Sequence, residues 1–140
     1  GWISAFENKG KIFKIKFGRL KNQKKTKILA SFEEQLFKFF NKQITKIKIP
    51  HIMIGNHIQK KIWYELKHIK LGQTKTYGKI AKKYKLSPRY IGKICGQNEL
   101  LLIVPCHRVI KSDGSPGGFS SQGGITLKKK LLNPRPIKLL

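Results

Sequence analysis

The sequence predicts an α/β protein. A small N-terminal α/β domain, a hairpin plus a helix, precedes a helix-turn-helix, winged-helix-like C-terminal domain. Three observations predict this. Lys11–Phe17 alternates apolar and basic residues beside Glu7-Asn8-Lys9-Gly10, which has hairpin-turn chemistry. Ser31 followed by Glu34 has capping-box spacing ahead of an apolar stripe. Tyr77–Tyr84 and residues 88–97 read as two short helices separated only by Lys85-Leu86-Ser87.

Residues 2–6 and Lys11–Phe17 read as paired strands. In the second, Phe13, Ile15 and Phe17 share one face, and Lys14 and Lys16 share the other. Ser31 opens a helix running to about residue 42, with Phe32, Leu36, Phe39 and Phe40 as its apolar stripe. Residues 45–49 alternate again and predict another strand. Packing is the expected task of this first unit, because no chemistry stands out in it. Pro50 and Gly55 mark 50–56 as a linker, so the expected domains are 1–50 and 51–140. Ile58, Ile62, Leu66 and Ile69 recur at helical spacing and predict a helix over 57–70. Ser87 suits an N-cap and Pro88 the first helical position. The apolar run 100–104 reads as a strand that Pro105 stops, leaving Cys106 on a rigid turn. Gly and Ser enrich 113–124, which reads as a mobile loop over that turn. A last helix at 124–132 ends before Pro134 and Pro136. No internal repeat is visible.

Charge narrows the function classes. Thirty-one Lys plus Arg oppose six Asp plus Glu in 140 residues, a formal net charge of +25. Such an excess destabilises a compact chain by self-repulsion unless a polyanion or salt relieves it. It favours a nucleic-acid partner over a solubility device or a lysine-rich composition. No segment pairs a strongly apolar face with a basic one, and no apolar run is long enough to cross a bilayer, so no membrane role is expected. No basic-then-apolar leader is visible, and the expected location is cytoplasmic. Cys95 and Cys106 are the two cysteines, neither in a CxxC pair, which argues against a disulfide framework and against a metal site.

Pro105-Cys106-His107-Arg108-Val109 concentrates the chemistry. A thiol attacks as its thiolate, which a neighbouring imidazole and a cationic field favour. Taken alone, the pair is more often a small buried cysteine beside a surface histidine, since reactive thiols are the minority.

With its flanks, Val104-Pro105-Cys106-His107-Arg108-Val109-Ile110 resembles the active-site signature of the O6-alkylguanine-DNA alkyltransferases, also called methylated-DNA–protein-cysteine methyltransferases. Thr76-Tyr77-Gly78-Lys79-Ile80-Ala81 resembles the segment opening that family's helix-turn-helix. Ser87-Pro88-Arg89-Tyr90-Ile91-Gly92, with Asn98 downstream, is similar to its arginine-bearing recognition helix and asparagine. Gly55-Asn56-His57-Ile58-Gln59-Lys60-Lys61-Ile62-Trp63 resembles the entry to its C-terminal domain. The four blocks follow the family's order.

The resemblance implies single-turnover repair of double-stranded DNA containing alkylated guanine, with the alkyl group moved to Cys106. His107 would relay the thiol proton through a water, Tyr77 would donate to the departing base, and Asn98 would pin the reactive turn. Arg89 would fill the gap left by the extruded base, with Tyr77, Ser87, Tyr90, Gly92 and Lys93 also at the DNA. Val109 and Cys106 would offer carbonyls to the guanine amine, Ser120 a donor toward O6, and Phe119 a stacking ring. A monomer with no cofactor and no metal is expected, and Cys95 is expected only to pack.

Three departures from the family pattern stand out. Phe119 replaces a usual tyrosine, and Tyr90 and Lys93 are bulkier than the usual groove-facing residues. No Asp or Glu follows Asp113, and Arg135 falls near the family's histidine-orienting glutamate. The missing glutamate keeps open a non-catalytic alkyltransferase-like lesion binder, although Cys106 argues against it, and charge alone favours a general architectural DNA-binding protein, which the Pro105–Val109 run disfavours.

Overall fold

Two strands, Ile3–Asn8 (β1) and Lys11–Phe17 (β2), pair antiparallel in the computed structural model, which describes residues 3–18 and 25–114. The turn is tighter than the expected Glu7 to Gly10. Lys9 and Gly10 alone make it, both with positive φ (50° and 78°), the conformation whose twist matches a two-residue hairpin. The register slips between Phe6, opposite Lys14, and Glu7, opposite Ile12, so Phe13 is the extra residue of a bulge. That bulge corrects the expected face. Ile12 and Ile15, three apart, both reach the core at 0% and 2% exposure, while Phe13 and Phe17 are only half-buried.

The first helix, Lys27–Phe40 (α1), starts earlier than Ser31 predicts. Thr26 caps it, its hydroxyl accepting from the Leu29 N–H at 3.2 Å. Ser31 lies inside the helix, and the helix ends at Phe40 rather than near residue 42. Phe32, Phe39 and Phe40 are buried and Leu36 is half-buried, as the stripe predicts. The strand expected at 45–49 does not form. Ile47 and Ile49 do turn inward, but Gln35 takes the backbone of Lys48, accepting from its N–H at 2.7 Å and donating to its carbonyl at 2.6 Å. A side chain thus occupies the groups a neighbouring strand would need. The expected linker is also pinned: the Ile12 N–H donates to Pro50, and the Ile52 N–H donates back to Ile12.

His57–Leu66 (α2) begins with a full capping box between Asn56 and Gln59. It stops at Leu66 rather than running to 70, because the His68 and Ile69 N–H groups turn back to Glu65 and Leu66 in a tighter spiral. Ile69 is still buried, from that turn. Gly55 lies flat on Trp63, where a Cβ would stand 2.7 Å from the ring. The Trp63 indole donates to the Ile94 carbonyl at 3.0 Å.

Lys75–Thr76 (β3) pairs parallel with Val109–Ile110 (β4). Tyr77–Tyr84 (α3), capped by Thr76, and Pro88–Gly96 (α4), capped by Ser87 with Pro88 in its first turn, form the expected helix-turn-helix. Lys85 turns the corner at φ 57°, and the Leu86 N–H closes it on the Ala81 carbonyl. One hydrophobic cluster runs from Ile12 and Ile15 through Ile62, Leu66, Ile80 and Ile94 to Val104. The start of the first strand at Trp2, the loop beyond Gly114 and the helix at 124–132 lie outside the described residues. Among the described residues, no helix is long and apolar enough to cross a membrane.

Candidate active site and nucleic-acid interface

The approach to Cys106 is a knot of short hydrogen bonds, not the strand end predicted for 100–104. All five apolar residues of that run are buried, but Leu102 adopts φ 70° and the Val104 N–H folds back to the Leu100 carbonyl at 2.8 Å. Burial, not a sheet ladder, is what the apolar run encodes. Pro105, at φ −80° and ψ 64°, is the centre of an inverse γ-turn closed by the Cys106 N–H on the Val104 carbonyl at 2.8 Å. Cys106–Arg108 then forms a single 3-10 turn, and the Val109 N–H bonds to the Cys106 carbonyl.

Asn98, 8% exposed, clamps this turn with both ends of its amide. Its nitrogen donates to Val104 at 2.9 Å and its oxygen accepts from the Leu100 N–H at 2.9 Å. Arg108 holds the far side. Its guanidinium is buried and donates to the Ile69 carbonyl at 2.7 Å, and burial draws its pKa below the ordinary arginine value. The sequence reading gave Arg108 no task. A long cation immediately after a buried Cys-His pair was the signal that it had one.

A cleft of about 730 Å³ opens onto Cys106. Tyr77 and Gly78 of α3, Pro88, Arg89, Gly92, Cys95 and Gly96 of α4, and Lys111 to Asp113 complete its lining among the described residues. The small residues Gly92, Cys95 and Gly96 recur at helical spacing, which hollows one face of α4. A Cβ at Gly92 would touch the Tyr77 ring at 4.0 Å. Burial is the first cause that raises the Tyr77 pKa, followed by the charges of Cys95 and Cys106. Its hydroxyl therefore keeps its proton and can donate.

The structure thus gathers Tyr77, Arg89, Gly92 and Cys106 around one cleft. Asn98, His107 and Val109 are buried around the turn and do not line the cleft. Ser87, Tyr90 and Lys93 are exposed on α4, outside the lining. Phe119, Ser120 and Arg135 lie outside the described residues. Cys95, expected only to pack, is buried and also forms part of the cleft wall. Among the described residues, no three His, Cys, Asp or Glu side chains gather closely enough to hold a metal ion.

A family model described as "6-O-methylguanine DNA methyltransferase, DNA binding domain" matches residues 57–134, more than half of the chain. A methylated-DNA–protein-cysteine methyltransferase of Sulfolobus acidocaldarius is 47% identical over 77 residues, covering 55% of this chain and 48% of that protein. One of Mycolicibacterium paratuberculosis is 34% identical over 105 residues, covering 74% of this chain and 62% of that protein. The chain therefore spans about half to three-fifths of these relatives' lengths. Among solved structures, Mycobacterium tuberculosis OGT in complex with DNA superposes with a TM-score of 0.78 at 27% identity, covering 93% of this chain and 83% of that one. The agreement takes in the hairpin and first helix as well as the helix-turn-helix, and this chain belongs to the O6-methylguanine DNA methyltransferase family.

Proposed function

We propose that this chain repairs double-stranded DNA containing O6-alkylguanine, moving the alkyl group to Cys106 once per molecule. The observation that carries the reading is the opening of one cleft onto Cys106 between the two helices of the helix-turn-helix, with Tyr77 and Arg89 on its walls. Its relatives are named as methyltransferases of the same kind, and the OGT it superposes on was solved in complex with DNA.

The chemistry follows from those positions. A guanine O6 lies inside the stack, so the base must leave the duplex, at a cost of a few kcal/mol. Arg89 projects from the second turn-helix, and its planar guanidinium can stack in the vacated space and bond the orphaned partner base. Ser87, Tyr90, Gly92 and Lys93 bring the rest of α4 to the groove. The Cys106 thiolate then attacks the alkyl carbon. The S–C bond forms as the C–O6 bond breaks, and the bonding pair leaves on guanine. Tyr77, kept protonated by burial, donates as that charge develops. His107 takes the thiol proton through a water, Asn98 holds the turn in register, and Arg89 and Lys111 put positive charge around the sulfur. In this reading Val109, buried behind the turn, would offer the base only its backbone carbonyl, and Phe119 and Ser120 would complete the pocket. A thioether on Cys106 has no mild route back, so the protein is consumed. It acts as a cytoplasmic monomer on DNA, with no membrane partner.

Transfer of a labelled alkyl group from duplex DNA tests the reading. Cys106→Ala should abolish transfer and leave duplex affinity within about a factor of three, and Cys95→Ala should keep both. Continued removal of alkyl groups by Cys106→Ala would overturn it.

A further inference from the structure

We infer a second nucleic-acid contact, on the outer face of the β1–β2 hairpin, separate from the helix-turn-helix. Cross-strand partners share a face, so Phe6 with Lys14 and Ser4 with Lys16 define one surface of this ribbon. Ala5 with Ile15 and Glu7 with Ile12 define the other, which packs into the core. On the outer surface Lys14 and Lys16 converge on a single ring. Their ammonium groups stand 5.8 and 5.9 Å from the centroid of Phe6. The bulge sets the Phe13 ring 6.1 Å from that of Phe6, and Lys11, opposite Asn8, extends the same face toward the turn. The hairpin's one carboxylate, Glu7, lies in the inward register, so the outer register carries none.

The negative face of the ring attracts both ammonium groups. The ring orients them without neutralising their charge. The surrounding unit does not neutralise it either, since residues 3–18 and 25–50 contain ten lysines and three glutamates. The ligand such a face fits is a chain of phosphodiesters, one bridging Lys14 and Lys16. An anionic membrane would offer similar charge. However, the outer register's one ring, Phe6, is half-buried beneath the two ammonium groups, and Phe13 lines a small cavity with Met53, Trp63 and Leu100, so no free apolar side chain is left to insert and the phosphodiester backbone of nucleic acid is the better match. The inference concerns undamaged nucleic acid and stands or falls apart from alkyl transfer to Cys106.

Binding of an undamaged duplex, measured across a salt series, tests it. The double variant Lys14→Gln/Lys16→Gln should have a log–log salt slope shallower by about 0.9, the share of the one phosphate the two lysines bridge, and Lys14→Arg/Lys16→Arg should keep the original slope. In the unaltered protein, the duplex should also protect both lysines from an amine-acylating reagent. An unchanged slope, or equal labelling with and without DNA, would overturn the inference. So would a loss confined to vesicles of anionic lipid with duplex binding intact, which would make the face a membrane contact.

Discussion

Four backbone and side-chain bonds fix the backbone that carries the Cys106 side chain: Val104 to Leu100, Cys106 to Val104, and the two made by Asn98. The Val104 carbonyl receives both Cys106 and Asn98, so the asparagine sets the plane of the peptide that leads into Cys106. Asn98→Ala removes two buried bonds and strands the Leu100 N–H. It should cost about 1–3 kcal/mol in denaturant unfolding and slow alkyl transfer. Asn98→Asp keeps the acceptor for Leu100 but sets a buried carboxylate oxygen against the Val104 carbonyl, and should cost at least as much as Asn98→Ala in both measurements. At Arg89 the expected loss depends on substrate. Arg89→Ala should slow reaction with duplex DNA by on the order of tenfold or more, while leaving reaction with the alkylated base alone nearly unchanged, since only a duplex has a gap to fill. Equal slowing on both substrates would remove the intercalating role.

At the scale of elements, Glu65 fastens α2 to β3 and α3. It accepts from the Tyr84 hydroxyl and pairs with Lys83 at 2.9 Å and Lys75 at 3.5 Å, with its own side chain 9% exposed. Burial alone would raise its pKa. Tyr84 and Lys83, then Lys75, outweigh that and hold the carboxyl below its ordinary value. The Tyr84 hydroxyl is pushed up to about 12, by burial first and then by Glu65. A depressed carboxyl stabilises the fold fully above its unfolded pKa, and that contribution is lost as pH falls through the folded value. A raised phenol contributes below its unfolded pKa and loses that contribution as pH rises toward 12. Glu65→Gln should therefore cost about 1–2 kcal/mol at neutral pH and flatten the acid limb of a melting profile. Most of that loss is the Tyr84 bond, because the lysine ends are 63% and 41% exposed and screened by solvent.

The helix-turn-helix was legible because its signals are local: Ser87 and Pro88 each act within one turn. The run at 100–104 was not. Five consecutive apolar residues have no period, and nothing in the letters marks Leu102 for a left-handed backbone. The 45–49 segment was half legible, since its alternation reports burial but not that Gln35, distant in sequence, would take the backbone of Lys48. In the site, Cys106 and Tyr77 were read from motif position. Cys95 was missed as a wall residue because its place depends on how α4 meets the 106 turn.

Across the whole molecule, the hairpin and the helix-turn-helix are parts of one packed body. Ile15 donates to the Glu99 carbonyl at 2.7 Å, one residue past the Asn98 clamp, so β2 backs directly onto the chain leading to Cys106. The N-terminal unit thus supports the turn at Cys106 as well as contributing charge. A net charge of +25 favours the phosphates of undamaged DNA in any of the three readings, so affinity would not separate a repair protein from a lesion binder or an architectural protein. Covalent bookkeeping does. The most direct test is peptide mass mapping after incubation with a duplex carrying one O6-methylguanine, in equimolar amounts. The peptide containing Cys106 should gain one methyl in place of its thiol proton, to near completion and without turnover, as the lesion reverts to guanine. An unmodified Cys106 beside an intact lesion, or a methyl found on Cys95, would contradict the account.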